Sequence, residues 1–292
     1  MDFIRTVIVP GLVSGALYAL IAVGFAVLFR VTGVLNFAHG TLVMLAPMAV
    51  LVLHEKWGIA VAPSYVLAVL VTLAFALVEE RVAIRPFLQA GSALPWIVST
   101  LGFSVILSEL LSIPFSGNSR SFSYGFSPVT SDILGIKISP AEIAVIIAAP
   151  LIAVLLGLVY SRTSLGLKLN AVAQDRAGAT AIGIRSDRMS QIAAAAAGLV
   201  AAATGLLISS SQLVSSELGI TYLFYGFVGA SLGGFGSLSG AVIGGFLVGI
   251  AAQAASIYIG SLFVNLTLFA GLLAVYLVRP EGLFGRAALR SV

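Results

Sequence analysis

The chain has 292 residues, of which 60% are hydrophobic and only 9% charged, with a mean hydropathy of +1.13, whereas soluble domains carry roughly one quarter charged residues. That composition describes an integral membrane protein. A net charge of +4 and a pI near 9.6 do not indicate nucleic acid, because the basic residues are scattered between apolar runs, and the absence of cysteine excludes disulfides, thiolate nucleophiles and cysteine-based metal sites.

A helix needs about 20 apolar residues to cross a bilayer. The opening MDFIR carries Asp2 and Arg5, and the apolar run behind it is longer than a signal-peptide core and lacks a small-residue cleavage site, so it reads as a retained first helix. Residues 6–29, 34–53 and 60–78 form the first three spans. Gly11, Gly15 and Ala19 recur every four residues in the first, the spacing that lets helices approach closely in lipid.

The second span opens Gly33-Val34-Leu35-Asn36-Phe37-Ala38-His39-Gly40-Thr41. Asn and His are costly in hydrocarbon unless partnered. Two readings stay open: a broken helix lining a cavity, or a tight interhelical hydrogen bond. Metal ligation by His39 is disfavoured, since the only other histidine is His54 in a loop beyond the same span.

Past Glu79, Glu80, Arg81 and Arg85, a fourth span covers 94–114 with a mildly polar stripe of Ser99, Thr100, Gly102 and Ser104. Such hydroxyls either bond their own backbone or line a pathway. The loop 115–139 is rich in Ser, Gly and Tyr and is expected outside, as a connector or a landing surface. A fifth span follows at 143–160.

Residues 161–188 form the one long polar island, holding Arg162, Lys168, Asp175, Arg176, Arg185, Asp187 and Arg188. Asn170 as N-cap and Gly183 as a left-handed stop predict a short helix over 171–182, with Ser186 or Asp187 capping the next. The alternative is an ordinary solvated loop. Spans at 189–211 and within 218–278 complete the chain, the latter uncharged, glycine-punctuated and long enough for three crossings. The expected fold is all-α and polytopic, a single domain over 1–292 with about nine transmembrane helices, between eight and ten, one of them discontinuous.

With the island inside, Arg30, Arg81, Arg85, Arg162, Lys168, Arg176, Arg185, Arg188, Arg279, Arg286 and Arg290 are cytoplasmic, eleven of the fifteen Lys and Arg residues. This favours an external N-terminus and a cytoplasmic C-terminus. No G-x-x-x-x-G-K-[ST] loop is present, so ATP hydrolysis is not expected in this chain. Nor does a carboxylate interrupt the middle of a span, Glu109 and Glu142 lying towards outer ends, which points to energy supplied by another subunit.

The segments Gly11-Leu12, Gly15, Tyr18-Ala19-Leu20, Ala22, Gly24 and Asn36-Phe37-Ala38-His39-Gly40 resemble the opening of the LivH-type permeases of branched-chain amino acid ABC importers. The resemblance runs on through Glu80-Arg81, Arg85-Pro86, Thr100, Gly102, Arg162-Thr163, Gly166, Ala173, Asp175, Gly183-Ile184, Arg188, the run from Leu232 to Ser237, Gly240, and Arg279-Pro280-Glu281-Gly282-Leu283-Phe284-Gly285.

It implies a bacterial inner-membrane permease without cofactors of its own. Its partners would be a second, LivM-like permease, two cytoplasmic ATPases and a periplasmic solute-binding protein. Residues 171–182 would then be the coupling helix, with Ala171, Val172, Ala173, Asp175, Arg176, Ala179, Ile182 and Gly183 against an ATPase. Tyr18, Asn36, His39 and Thr100 are the expected pathway residues. The chain departs from the family pattern at Thr41, where an acidic residue is common, and near Leu169 and Asn170, where a basic one is. The first departure leaves room for urea or another small polar solute in place of an aliphatic amino acid, and a passive channel or secondary carrier is the rival from another class.

Overall fold

The computed structural model describes residues 3–88, 94–120, 131–133, 136–210, 212–280 and 282–284. Positions 121–130 and 134–135 of the expected external loop lie outside the described residues, as do Glu281, Gly285, Arg286 and Arg290.

Helix α1 (Val9–Thr32), entered through a π-helical turn at Ile4–Ile8, is buried on nearly every side along its second half. A helix apolar all round belongs in a core, and this one is the post on which the rest is hung. Helices α5 (Pro140–Arg162), α8 (Ser186–Ser209), α9 (Leu218–Gly233) and α10 (Leu238–Tyr258) pack directly against it. Helices α2 (His39–Leu51) and α3 (Val61–Glu79) close against α8, while α4 (Leu94–Ser112) and α11 (Val264–Val278) stand at the periphery with broad apolar faces exposed. Between α5 and α8 lie α6 (Ser164–Gln174) and α7 (Arg176–Ala181). The strands β1 (Ser131–Ile133) and β2 (Ile136–Ile138) form a small antiparallel ribbon.

The α1–α10 seam shows why the small residues recur every four positions. A Cβ added at Gly15 would stand 2.8 Å from the backbone of Phe246, and one at Gly249 or Gly245 would overlap the backbone of Gly15 or Ala19. Backbones this close gain dispersion contacts that lipid chains cannot supply, which is how helices associate in a bilayer.

Among the described residues, seven helices are long and apolar enough to cross a membrane. The run 218–278 does divide into three helices. However, α2 with 13 residues, even with the 5-residue π-helical segment Val52–Lys56 that continues it, and α9 with 16 are shorter than the about 20 a crossing needs, so length alone does not give nine. The chain is an all-α, multi-pass membrane protein.

Two readings near Glu79 need correction. Helical structure does not stop at 78: it continues through a π-helical segment (Glu80–Ile84) and a 3-10 turn (Arg85–Phe87), giving one 27-residue span, Val61–Phe87. Glu79 and Glu80 therefore lie within a span and are fully buried, rather than on a cytoplasmic loop. Glu80 is tolerated because Arg85 pairs with it, since a buried unpaired charge would be strongly unfavourable, and Glu79 has the Asn36 amide on one of its two oxygens.

Candidate functional site

The most unusual backbone in the core is the break between α1 and α2. Gly33 ends α1 in the left-handed conformation (φ 70°), donating its N–H to Phe29 O at 2.7 Å, and non-helical chain follows to residue 38. Asn36 then restarts the helix. Its Oδ1 accepts from Ala38 N at 2.8 Å, and its backbone carbonyl accepts from His39 N at 3.3 Å. Its Nδ2 donates to Glu79 Oε2 at 3.0 Å. One amide thus satisfies a backbone donor at the start of α2 and a carboxylate on α3, as non-helical backbone at membrane depth requires.

His39 begins α2 beside α1. Its imidazole lies against Gly24, where an added Cβ would overlap Nε2, and its ring centroid is 5.3 Å from that of Phe25. Gly24 is eight residues before the end of α1, so α2 starts about 12 Å further in than α1 stops. Two residues along, Thr41 Oγ1 and Ser104 Oγ share a 2.7 Å hydrogen bond that joins α2 to α4. Among the described residues, His39 Nε2 and Glu79 Oε1 are buried with no hydrogen-bond partner.

The four expected pathway residues are all buried, at different contacts. Asn36 and His39 belong to the break. Tyr18 stacks against α9, its ring 4.7 Å from Tyr225 and 6.3 Å from Tyr222, and Thr100 donates to Trp96 O at 2.9 Å within its own helix, the plain structural use of an intramembrane hydroxyl. Glu79 was missed by sequence reasoning. Its signal was the Glu79-Glu80-Arg81 cluster with Arg85 five residues after Glu80, which let one arginine neutralise one acid: Arg85 grips Glu80 through Nε to Oε1 at 3.1 Å and Nη2 to Oε2 at 2.6 Å.

The polar island folds as two short helices where one was expected. Thr163 caps α6, its Oγ1 accepting from Gly166 N at 3.0 Å. Asn170 is not a cap: it sits inside α6 and donates Nδ2 to Tyr160 O at 3.1 Å. Asp175 is extended (φ −150°, ψ 105°), breaks the helix, and caps α7 by accepting from Ala177 N at 2.9 Å. Gly183 (φ 87°) ends the element as expected. The next helix has no side-chain cap; Ser186 instead bonds Thr180 and the Arg176 carbonyl.

Within the island, Val172 and Ala179 are buried against the chain, whereas Leu167 and Ile182 are 66% and 76% exposed. Arg176 ties α7 to α8, with Nη2 on Asp187 Oδ1 at 2.7 Å and Nη1 on Ser190 Oγ at 3.1 Å.

At the foot of α1 a cavity of ≈ 1120 Å³ opens between α5, α6 and the start of α10. Asn170, Val172, Ala173 and Arg176 of the island line it together with Arg30, and none of the four expected pathway residues does.

The family described as "branched-chain amino acid transport system / permease component" matches residues 7–278. The high-affinity branched-chain amino acid transport system permease protein BraD of Pseudomonas aeruginosa is 30% identical, over 98% of this chain and 97% of that protein. LivH of Escherichia coli K12 is 28% identical over 97% and 96%, and the probable LivH of Methanocaldococcus jannaschii is 24% identical over 96% and 92%. A solved structure, PsaBC from Streptococcus pneumoniae in complex with Fab, shares the fold at a TM-score of 0.50 and 12% identity, covering 96% of this chain and 95% of that one.

Proposed function

The chain belongs to the family of permease components of branched-chain amino acid transport systems, and from that premise we propose that it is the transmembrane subunit of a binding-protein-dependent ABC importer. It moves branched-chain or other small neutral amino acids inward across the bacterial inner membrane, driven by ATPase subunits that it binds and that hydrolyse ATP on its behalf. A second, LivM-like permease completes the membrane body, and a periplasmic solute-binding protein delivers the substrate. In this reading α2 and α9 cross with their neighbours to make nine, and α2 is the discontinuous helix.

One observation carries the coupling assignment: the only long polar island exposes Leu167 and Ile182 while tucking Val172 and Ala179 away. Large apolar side chains on a charged surface mark a protein contact. The ATPase contact is therefore made through α6 and α7 by these two residues, with Asp175 and Arg176 fixing the geometry of the elbow. ATP-driven movement there reorients the helices, and the break at 33–38, with Asn36 and His39, is the element that rearranges to admit substrate, Tyr18 and Thr100 lying along the same route.

The test is ATP hydrolysis and uptake in proteoliposomes holding the complete assembly. Leucine-loaded binding protein should stimulate hydrolysis, and Ile182→Glu with Leu167→Glu should abolish that stimulation while leaving the permease folded. If uptake and stimulation survive both changes, the island is not the transmission element and a channel or carrier takes precedence. If urea-loaded binding protein stimulates and leucine-loaded does not, the substrate class is wrong.

A further inference from the structure

The cavity at the foot of α1 has a chemistry that amino acid transport does not account for. Its lining includes the guanidinium groups of Arg30 and Arg176 and, among the described residues, no carboxylate. Arg176 is neutralised by Asp187. Among the described residues Arg30 forms no ion pair; its guanidinium lies 5.0 Å from the centroid of the Tyr160 ring. The hydroxyls of Ser237 and Ser239, at the N-terminal end of α10, complete the polar wall.

Above this polar end the lining turns apolar. Val154 and Gly157 of α5 face Val242 and Ile243 of α10 across a groove. Val154 and Ile243 are 58% and 41% exposed, so the groove is continuous with the outer apolar surface of the helices.

We propose that this cavity binds an anionic phospholipid, its phosphodiester held by Arg30 and the start of α10 and one acyl chain laid along the α5–α10 groove. A zwitterionic amino acid fits poorly, because among the described lining residues its ammonium would meet the unpaired Arg30 cation and no acid. A phosphodiester offers charge-matched acceptors to a planar guanidinium, and basic pockets between transmembrane helices on the cytoplasmic side are where such headgroups bind. The leaflet rests on the proposed orientation; the pairing of a cationic end with an apolar groove does not.

The experiment purifies the assembled transporter in mild detergent from membranes containing phosphatidylglycerol and phosphatidylethanolamine, then quantifies bound lipid by mass spectrometry. Wild type should retain phosphatidylglycerol in preference. Arg30→Gln should lower retention about fivefold, the contribution of one basic side chain, and Arg30→Lys should keep most of it. Gly157→Leu should also lower it: an added Cβ there meets nothing within 4 Å, so the variant folds and fills the groove. Equal retention of both lipids, or retention unchanged in Arg30→Gln and Gly157→Leu, overturns the proposal. Sensitivity to Arg30→Gln without sensitivity to Gly157→Leu, or displacement by millimolar inorganic phosphate, indicates a soluble anion site and overturns it too. An assembly without lipid whose isolated permease binds it places an ATPase side chain there, against the proposal.

Discussion

Removing the Asn36 side chain tests whether the α1–α2 break is held from α3. Asn36→Ala deletes two buried hydrogen bonds at once, from Ala38 N at 2.8 Å and to Glu79 Oε2 at 3.0 Å, and strands a backbone donor and a carboxylate oxygen. Each orphaned buried group costs about 1–3 kcal/mol, so the variant should lose about 2–6 kcal/mol. Glu79→Ala strands only one amide N–H and should lose less, about 1–3 kcal/mol. Glu79→Gln keeps an acceptor in place and should lose least. Interhelical hydrogen bonds in membranes average about 0.6 kcal/mol and reach about 1.7. A double-mutant cycle on unfolding in detergent should therefore give about 0.6–1.7 kcal/mol of coupling between Asn36 and Glu79. Additivity within about 0.5 kcal/mol, or Glu79→Ala costing as much as Asn36→Ala, refutes the arrangement.

Gly24→Ala should destabilise the chain by about 1–3 kcal/mol through overpacking, because the new methyl overlaps His39 Nε2; thermal unfolding should show His39→Ala suppressing that loss. Arg85→Ala should cost about 3–5 kcal/mol, since it leaves buried Glu80 without its cation. Asp187→Ala, at an exposed pair with Arg176, should cost at most about 1 kcal/mol in the same assay. Gly245→Val should separate α1 from α10 by overlapping the Ala19 backbone, and is expected to abolish folded, monodisperse protein on size-exclusion chromatography.

Apolar run length and glycine spacing made the membrane architecture legible, because lipid imposes both directly: spans must be long, and helices that touch must be small at the contact. The break around Asn36 and His39 was legible for the same reason, polar residues at depth being expensive: the helix is broken there and Asn36 makes the interhelical hydrogen bond to Glu79, while the cavity at the foot of α1 is lined by neither residue. Glu79 was not legible. A run of two acids and an arginine after an apolar stretch has the composition of a loop, and only a third-dimension partner, Asn36 at 43 residues' separation, allows it inside. The elbow at Asp175 was misread for a local reason: Asn170 and Asp175 are both good N-caps, and the choice between them was made by the Tyr160 carbonyl, which takes up the Asn170 amide.

That carbonyl also links the island to the break through a short chain of contacts. Asn170 fastens α6 to the last turns of α5, and Tyr160 carries α5 to α1 through its ring beneath Arg30. Three residues beyond Arg30 the chain leaves the helix at Gly33, and six beyond it Asn36 takes hold of Glu79. Few backbone hydrogen bonds tie down 34–38, and segments so held open at the lowest free energy in a structure. On the coupling proposed above, a displacement of the island would be delivered, through two contacts, to the part of the core that yields first, while the α1–α10 glycine seam would keep the rest of α1 from following.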